Sequence, residues 1–127
     1  MQPKCFLIII GAGKSGTTTL ARWLGERSDM VLCQSKESRF FTDFDQIPWT
    51  GPGAERFVDT MISDEAEYLT AFDNEKQVAW HIDASTDYLW CPVSCERIAA
   101  WSERFEVRLI VILRDPVDRA FSQYRHT

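Results

Sequence analysis

Apolar positions in this chain fall into short unbroken runs separated by stretches of helical period. Phe6-Leu-Ile-Ile-Ile10 is continuous and ends on a glycine-containing loop, Gly11 to Gly16. A run of that kind predicts a strand covered on both faces. From Thr17 to about Arg27, Leu20, Trp23 and Leu24 recur at helical spacing and predict a helix with those three on its packed stripe. Met30 to Cys33 predicts a second short strand, and Gln34 to Pro52 is rich in turn formers. Ala54 to Ile62 and Asp64 to Phe72 predict two further helices, the second capped by Ser63. Val78 to Ile82 predicts a third strand. Ser94 to Phe105 predicts a helix with Ile98, Trp101 and Phe105 on one face, and Val107 to Leu113 a fourth strand. Pro116 then opens a last helix at its first turn, where proline is tolerated, with Val117, Phe121 and Tyr124 as its apolar stripe.

Strands that alternate with helices and read as unbroken apolar runs predict an α/β fold with a parallel sheet. Ligands of such sheets sit beyond the carboxyl ends of the strands. Attention therefore falls on Gly11 to Thr18, on Lys36 and Glu37, on Asp83 to Ser85, and on Arg114.

The length of 127 residues predicts a single domain, 1–127, able to bury a core without staples. With 45% apolar and 26% charged residues, a disordered or collagen-like chain is excluded. A net charge of −5 argues against nucleic acid or an anionic membrane surface as partner, while leaving room for a local basic site. The longest apolar run, Cys5 to Ile10, is too short to span a bilayer or to serve as a signal core. Four cysteines suit a reduced, cytoplasmic chain. The spacing of Cys91 and Cys95 is not that of zinc ligands, and no metal is expected.

The first strand-end loop is Gly11-Ala-Gly-Lys-Ser-Gly-Thr-Thr18. Glycines let backbone N–H groups turn inward, and the following helix start adds unpaired donors and partial positive charge. Lys14 adds a full charge, and Ser15, Thr17 and Thr18 add hydroxyls, so the loop predicts a phosphate or sulfate site. It is not an ATPase phosphate loop: counting back from Gly13-Lys14-Ser15 puts Ile8 where the first glycine belongs. At the fourth strand end, Arg114 can fork two N–H bonds onto a phosphate, and Ser122 lies two helical turns on. These two predict a second anion site.

Phe6-Leu-Ile-Ile-Ile-Gly-Ala-Gly-Lys-Ser-Gly-Thr-Thr-Thr-Leu20 resembles the 5′-phosphosulfate loop of the sulfotransferases that use 3′-phosphoadenosine 5′-phosphosulfate (PAPS). Leu109-Ile-Val-Ile-Leu-Arg-Asp-Pro-Val-Asp-Arg-Ala-Phe-Ser-Gln-Tyr124 resembles their 3′-phosphate motif. Lys36-Glu-Ser-Arg-Phe-Phe41 is similar to a segment of the heparan sulfate branch, and Asp83-Ala-Ser-Thr-Asp-Tyr88 sits where that branch has a comparable one.

The resemblance implies a three-layer, P-loop-type parallel sheet in the order 2-3-1-4, flanked by helices. It implies that PAPS is the co-substrate and that no metal takes part. Lys14 would contact the phosphosulfate and stabilise charge on the leaving phosphate. Ser15, Gly16, Thr17 and Thr18 would cradle the 5′-phosphate, and Arg114 and Ser122 would bind the 3′-phosphate. Glu37 would be the general base, with Lys36 positioning the acceptor or sulfuryl group. The acceptor would be a hydroxyl or amine of a carbohydrate, lipid or small molecule.

Two departures fall on the acceptor side: Thr42 stands where the branch often has aspartate, and Ala84 where it has lysine. Asp83 is open between an acceptor-site carboxylate and a strand-end turn residue. His81 is expected to be a core histidine. The five tryptophans are expected mainly in packing, with Trp49 and Trp90 also able to line an acceptor cleft. The family's catalytic domain runs beyond the Arg–Ser motif, so the chain is expected to be its N-terminal part. An excised piece of a membrane-anchored Golgi protein is the alternative to a cytoplasmic chain. A P-loop kinase and a non-catalytic nucleotide-binding fragment are the competing readings.

Overall fold

The computed structural model describes residues 5–35, 37–72 and 78–126. The first apolar run forms β1, Cys5–Gly11, and leads into α1, Thr17–Gly25. Next come β2, Met30–Leu32, and two short helices, α2, Ala54–Asp59, and α3, Glu65–Thr70. The chain continues through β3, Trp80–Ala84, α4, Pro92–Ser102, β4, Glu106–Val111, and α5, Pro116–His126. Single 3-10 turns cover Phe44–Gln46 and Thr86–Leu89.

The sheet runs β2-β3-β1-β4, and every pairing is parallel. This is the α/β architecture that the pattern predicts and the strand order that the resemblance implies. β1 lies at the centre, with Ile8 opposite Asp83 on one side and Leu109 on the other. Its side chains alternate between two cores, as strand geometry requires. Phe6 and Ile8 join Tyr68, Phe72, Tyr88, Ile98 and Trp101 on the face covered by α3 and α4. Leu7 and Ile9 join Ala21, Ile82 and Ala84 on the face covered by α1. The first core is aromatic: the Phe6 ring lies 5.4 Å from Trp101, 5.3 Å from Phe105 and 5.9 Å from Phe72, each edge-on. His81 is buried against it, with Nδ1 3.2 Å from the Cys5 carbonyl.

Three details differ from the sequence reading. The α3 cap is Asp64, not Ser63: its carboxylate accepts the Glu67 N–H at 3.0 Å, because the helix begins one residue later than the pattern suggests. Trp23 is 72% exposed. The packed stripe of α1 is Thr17, Leu20, Ala21 and Leu24, and a residue two places from Ala21 points the other way. Val117, Phe121 and Tyr124 are also exposed, as are Leu109, Val111 and Leu113. β4 is an edge strand, and among the described residues no element covers the apolar face that it and α5 present.

Candidate functional site

Four strand ends point at one region, and the loops that leave them build a cleft of about 910 Å³. Gly11 closes β1 at φ 155°, where a Cβ would meet that of Leu89 at 2.9 Å, so glycine is required by close approach. The loop start is tied to the end of β4 by reciprocal backbone bonds of 2.8 Å, Ala12 N–H to Ile112 and Ile112 N–H to Gly11. Lys14 (φ 62°) and Gly16 (φ 88°) then adopt left-handed conformations. Left-handed residues in a short loop turn successive N–H groups toward one side. Gly16 precedes α1 as its cap and has no side chain to engage the first-turn N–H groups. Strand, turn and uncapped helix start together make a concavity suited to an anion.

Lys14, Gly16, Thr17 and Thr18 line the cleft from this loop. Arg114 and Ser122 line it from the other end, beyond β4. The Arg114 guanidinium donates from Nη1 to the Lys14 carbonyl at 3.1 Å, so the two predicted anion sites touch. Asp115 accepts the N–H groups of Val117 and Asp118 at 3.0 and 3.2 Å, capping α5 ahead of Pro116 and setting the angle at which Ser122 enters the cleft. Ser15 is not on the cleft wall; its hydroxyl is buried and has no hydrogen-bond partner among the described residues. Lys36 lies outside the described residues.

Glu37 enters the cleft from the segment after β2. Its Oε1 accepts the Thr86 N–H at 3.1 Å and the Thr86 hydroxyl at 2.8 Å. Its Oε2 accepts from Arg39 Nη2 at 3.0 Å. Arg39 also donates from Nε to Asp87 at 2.8 Å and lies 4.1 Å over the Phe57 ring. The carboxylate is thereby clamped between two segments that neighbouring strands deliver. Sequence reasoning missed Thr86, Arg39 and Arg119 as neighbours of this site. For Arg119 a signal existed: it precedes Ser122 by three residues and so shares its helix face.

Of the two readings left open for Asp83, the structure excludes the acceptor-site carboxylate. Asp83 is fully buried, lies off the cleft wall, and is bonded to the turn that follows β3. Its Oδ2 accepts from Ser38 at 2.8 Å, Tyr68 at 2.9 Å and Tyr88 at 2.7 Å, and its Oδ1 from Ser85 at 2.8 Å. Burial raises its pKa above the usual carboxylate value, and the four hydroxyl donors oppose that rise. Burial beside this carboxylate pushes Tyr68 and Tyr88 well above 10 and Cys33 up to about 12. Ser38 neighbours Glu37 in sequence, and Ser85 also accepts the Arg39 N–H at 3.2 Å. The knot therefore fastens the Glu37 segment to the end of β3.

Of the two loop tryptophans, Trp90 lines the cleft, with its indole donating to Asp87 at 3.1 Å. Trp49 instead donates to the Phe44 carbonyl at 2.8 Å and packs on Phe57, away from the cleft.

A family model described as the sulfotransferase family matches residues 7–127. The chain is 29% identical over 119 residues to the membrane-associated sulfotransferase kil1 of Dictyostelium discoideum, covering 92% of this chain and 22% of that protein. It also superposes on the crystal structure of a sulfotransferase from Alicyclobacillus acidocaldarius with a TM-score of 0.79 and 35% identity. That match covers 99% of this chain and 50% of the bacterial one, so the chain spans half or less of the length of these relatives.

Proposed function

The chain belongs to the sulfotransferase family, and from that premise we propose that it takes a sulfuryl group from PAPS to a hydroxyl or amine acceptor. The observation that supports this reading is the convergence of Lys14, Thr17, Thr18, Arg114, Ser122 and Glu37 on one cleft. Cations stand at the ends of β1 and β4, and the carboxylate stands across the cleft at the β2 and β3 side. A donor that carries phosphate at both ends suits the first arrangement, and an acceptor that must lose a proton suits the second. The Ser15 hydroxyl lies in the same loop but off the cleft wall, and it joins these donors only by turning toward a bound phosphate.

In this reading the loop N–H groups, with Ser15, Gly16, Thr17 and Thr18, hold the 5′-phosphate. Arg114 and Ser122 hold the 3′-phosphate. The donor, when bound, supplies the sulfuryl group. Lys14 stabilises the charge left on the phosphate as the sulfur–oxygen bond breaks, since such transfers depend on positioning and on charge stabilisation at oxygen. Glu37 accepts the acceptor's proton. Three donors already occupy it, two on Oε1 and one on Oε2. A carboxylate has about four lone-pair sites. One therefore remains, on Oε2, for the acceptor hydroxyl or amine. Lys36 helps to position the acceptor or the sulfuryl group.

These residues are proposed to form the N-terminal part of a catalytic domain, with a carbohydrate, lipid or small molecule as acceptor. Among the described residues no helix is long and apolar enough to cross a membrane. A cytoplasmic location is proposed, and the Golgi lumen is the alternative if a longer membrane-anchored protein carries the segment. Calorimetry with adenosine 3′,5′-bisphosphate against Mg·ATP tests the donor, and transfer of radiolabelled sulfate tests turnover. Binding of ATP with none of the bisphosphate would overturn the reading.

A further inference from the structure

Several arginines of the described residues have partners. Arg27, Arg39, Arg104 and Arg108 each meet a carboxylate, and Arg114 meets the Lys14 carbonyl. Arg22 and Arg56 are exposed to water, whereas Arg119 is not. It sits on α5, half-buried, and lines the same cleft as Lys14 and Ser122. Its Nε is buried with no hydrogen-bond partner, and among the described residues no ion pair or hydrogen bond holds its side chain.

Its position is specific. A Cβ added at Gly13 would lie 3.8 Å from Arg119 Nη2 and 3.8 Å from the Thr86 hydroxyl that holds Glu37. The guanidinium therefore rests against the anion loop, between the helix that carries Ser122 and the residue that precedes Lys14. Ser15, in that same loop, carries a second buried and unpaired polar atom. A chain with 19 acidic and 14 basic residues has carboxylates in excess with which to pair a half-buried guanidinium. An unpaired cation is costly to bury unless an anion joins it. One orphaned donor lies in the anion loop and the other rests against it, where a ligand oxygen can serve as acceptor.

We propose that Arg119 is a binding residue for the phosphate at the β1-loop end of the donor, acting beside Lys14 and apart from the Arg114–Ser122 end. This rests on the reading of the cleft as a donor site. Its planar fork matches two ligand oxygens in a fixed bidentate geometry that a lysine lacks.

The test is calorimetry on the whole chain with adenosine 3′,5′-bisphosphate, adenosine 5′-monophosphate and adenosine 3′-monophosphate. Wild type is compared with Arg119→Ala and with Arg119→Lys, which keeps the stem and charge and serves if the alanine variant fails to fold. Both variants should weaken the bisphosphate and the 5′-monophosphate, by about tenfold or more for alanine and less for lysine. The 3′-monophosphate should change by no more than about twofold. Unchanged affinity for the 5′-monophosphate, or equal losses for the two monophosphates, would overturn the assignment while leaving the donor site standing. Wild-type protein that binds none of the three overturns the donor reading, and this assignment with it.

Discussion

Glu37 and Thr86 are 49 residues apart, yet one carboxylate oxygen of Glu37 accepts both the backbone N–H and the hydroxyl of Thr86, at 3.1 and 2.8 Å. The pairing points the carboxylate and fixes which lone pair stays free. Glu37→Gln should lower sulfate transfer by about a hundredfold or more while leaving bisphosphate affinity unchanged, as loss of a general base does. Thr86→Val removes the hydroxyl but keeps the N–H, and the expected loss is smaller, about tenfold, again in turnover only. Rates of radiolabelled sulfate transfer, read beside calorimetric affinity, check both. A loss of affinity equal to the loss of rate would place Glu37 in donor binding instead.

Lys14 and Arg114 stand at the ends of adjacent strands and are joined through the Lys14 carbonyl. Each alanine variant should weaken adenosine 3′,5′-bisphosphate binding by more than about 1 kcal/mol, because each removes a charge-assisted contact. The Arg114 variant also frees the loop carbonyl, so the double variant should lose less than the sum of the singles. Raising ionic strength should weaken wild-type binding more than that of either variant.

The Asp83 knot carries a stability prediction. Asp83→Ala leaves four buried hydroxyls without their acceptor and should destabilise the fold by about 3 kcal/mol or more. Denaturant unfolding measures it. A variant with wild-type stability would mean that the knot holds the segment only weakly.

The phenols of that knot set an alkaline limit. Tyr68 and Tyr88 are pushed well above 10 in the folded chain, so unfolding lets them ionise. The folded state then holds more protons than the unfolded one. Stability is fully present below about pH 10 and falls as pH rises beyond it, by up to about 1.4 kcal/mol per pH unit for each group. Cys33, raised to about 12, adds the same sign from about pH 9 upward. Tyr68→Phe should reduce this slope even though it also lowers stability at neutral pH. Urea midpoints between pH 8 and pH 11 show whether it does.

Leu113, Val117, Phe121 and Tyr124 are 59–76% exposed beside the open edge of β4. Exposed apolar area next to unpaired strand edges favours association. The polypeptide 1–127 should therefore self-associate with rising concentration, and Phe121→Glu should shift it toward monomer in sedimentation velocity. Concentration-independent monomer for the wild type would show that this face is tolerated in water.

The strands and the glycine-containing loop after β1 were legible in the sequence because each depends on neighbours a few residues apart, whereas the strand order was expected from the family resemblance. A five-residue apolar run, a lysine among glycines and a proline ahead of an amphipathic stretch carry their signals locally. The resemblance of those segments to one family was legible for the same reason. The role of Asp83 was not. Its four hydroxyl partners come from positions 38, 68, 85 and 88, and no spacing rule links them. Nor could periodicity show that Trp23 faces water or that Val117 and Phe121 lack a cover, since an apolar stripe states what can be buried and not what lies opposite. Sequence determined which segments become strands and which loop gathers glycines, hydroxyls and a lysine at a strand end. Tertiary structure decided which carboxylate is buried, which is clamped at the cleft, and which arginine has a buried nitrogen without a partner, because hydrogen bonds and desolvation act between residues that only the folded sheet brings together.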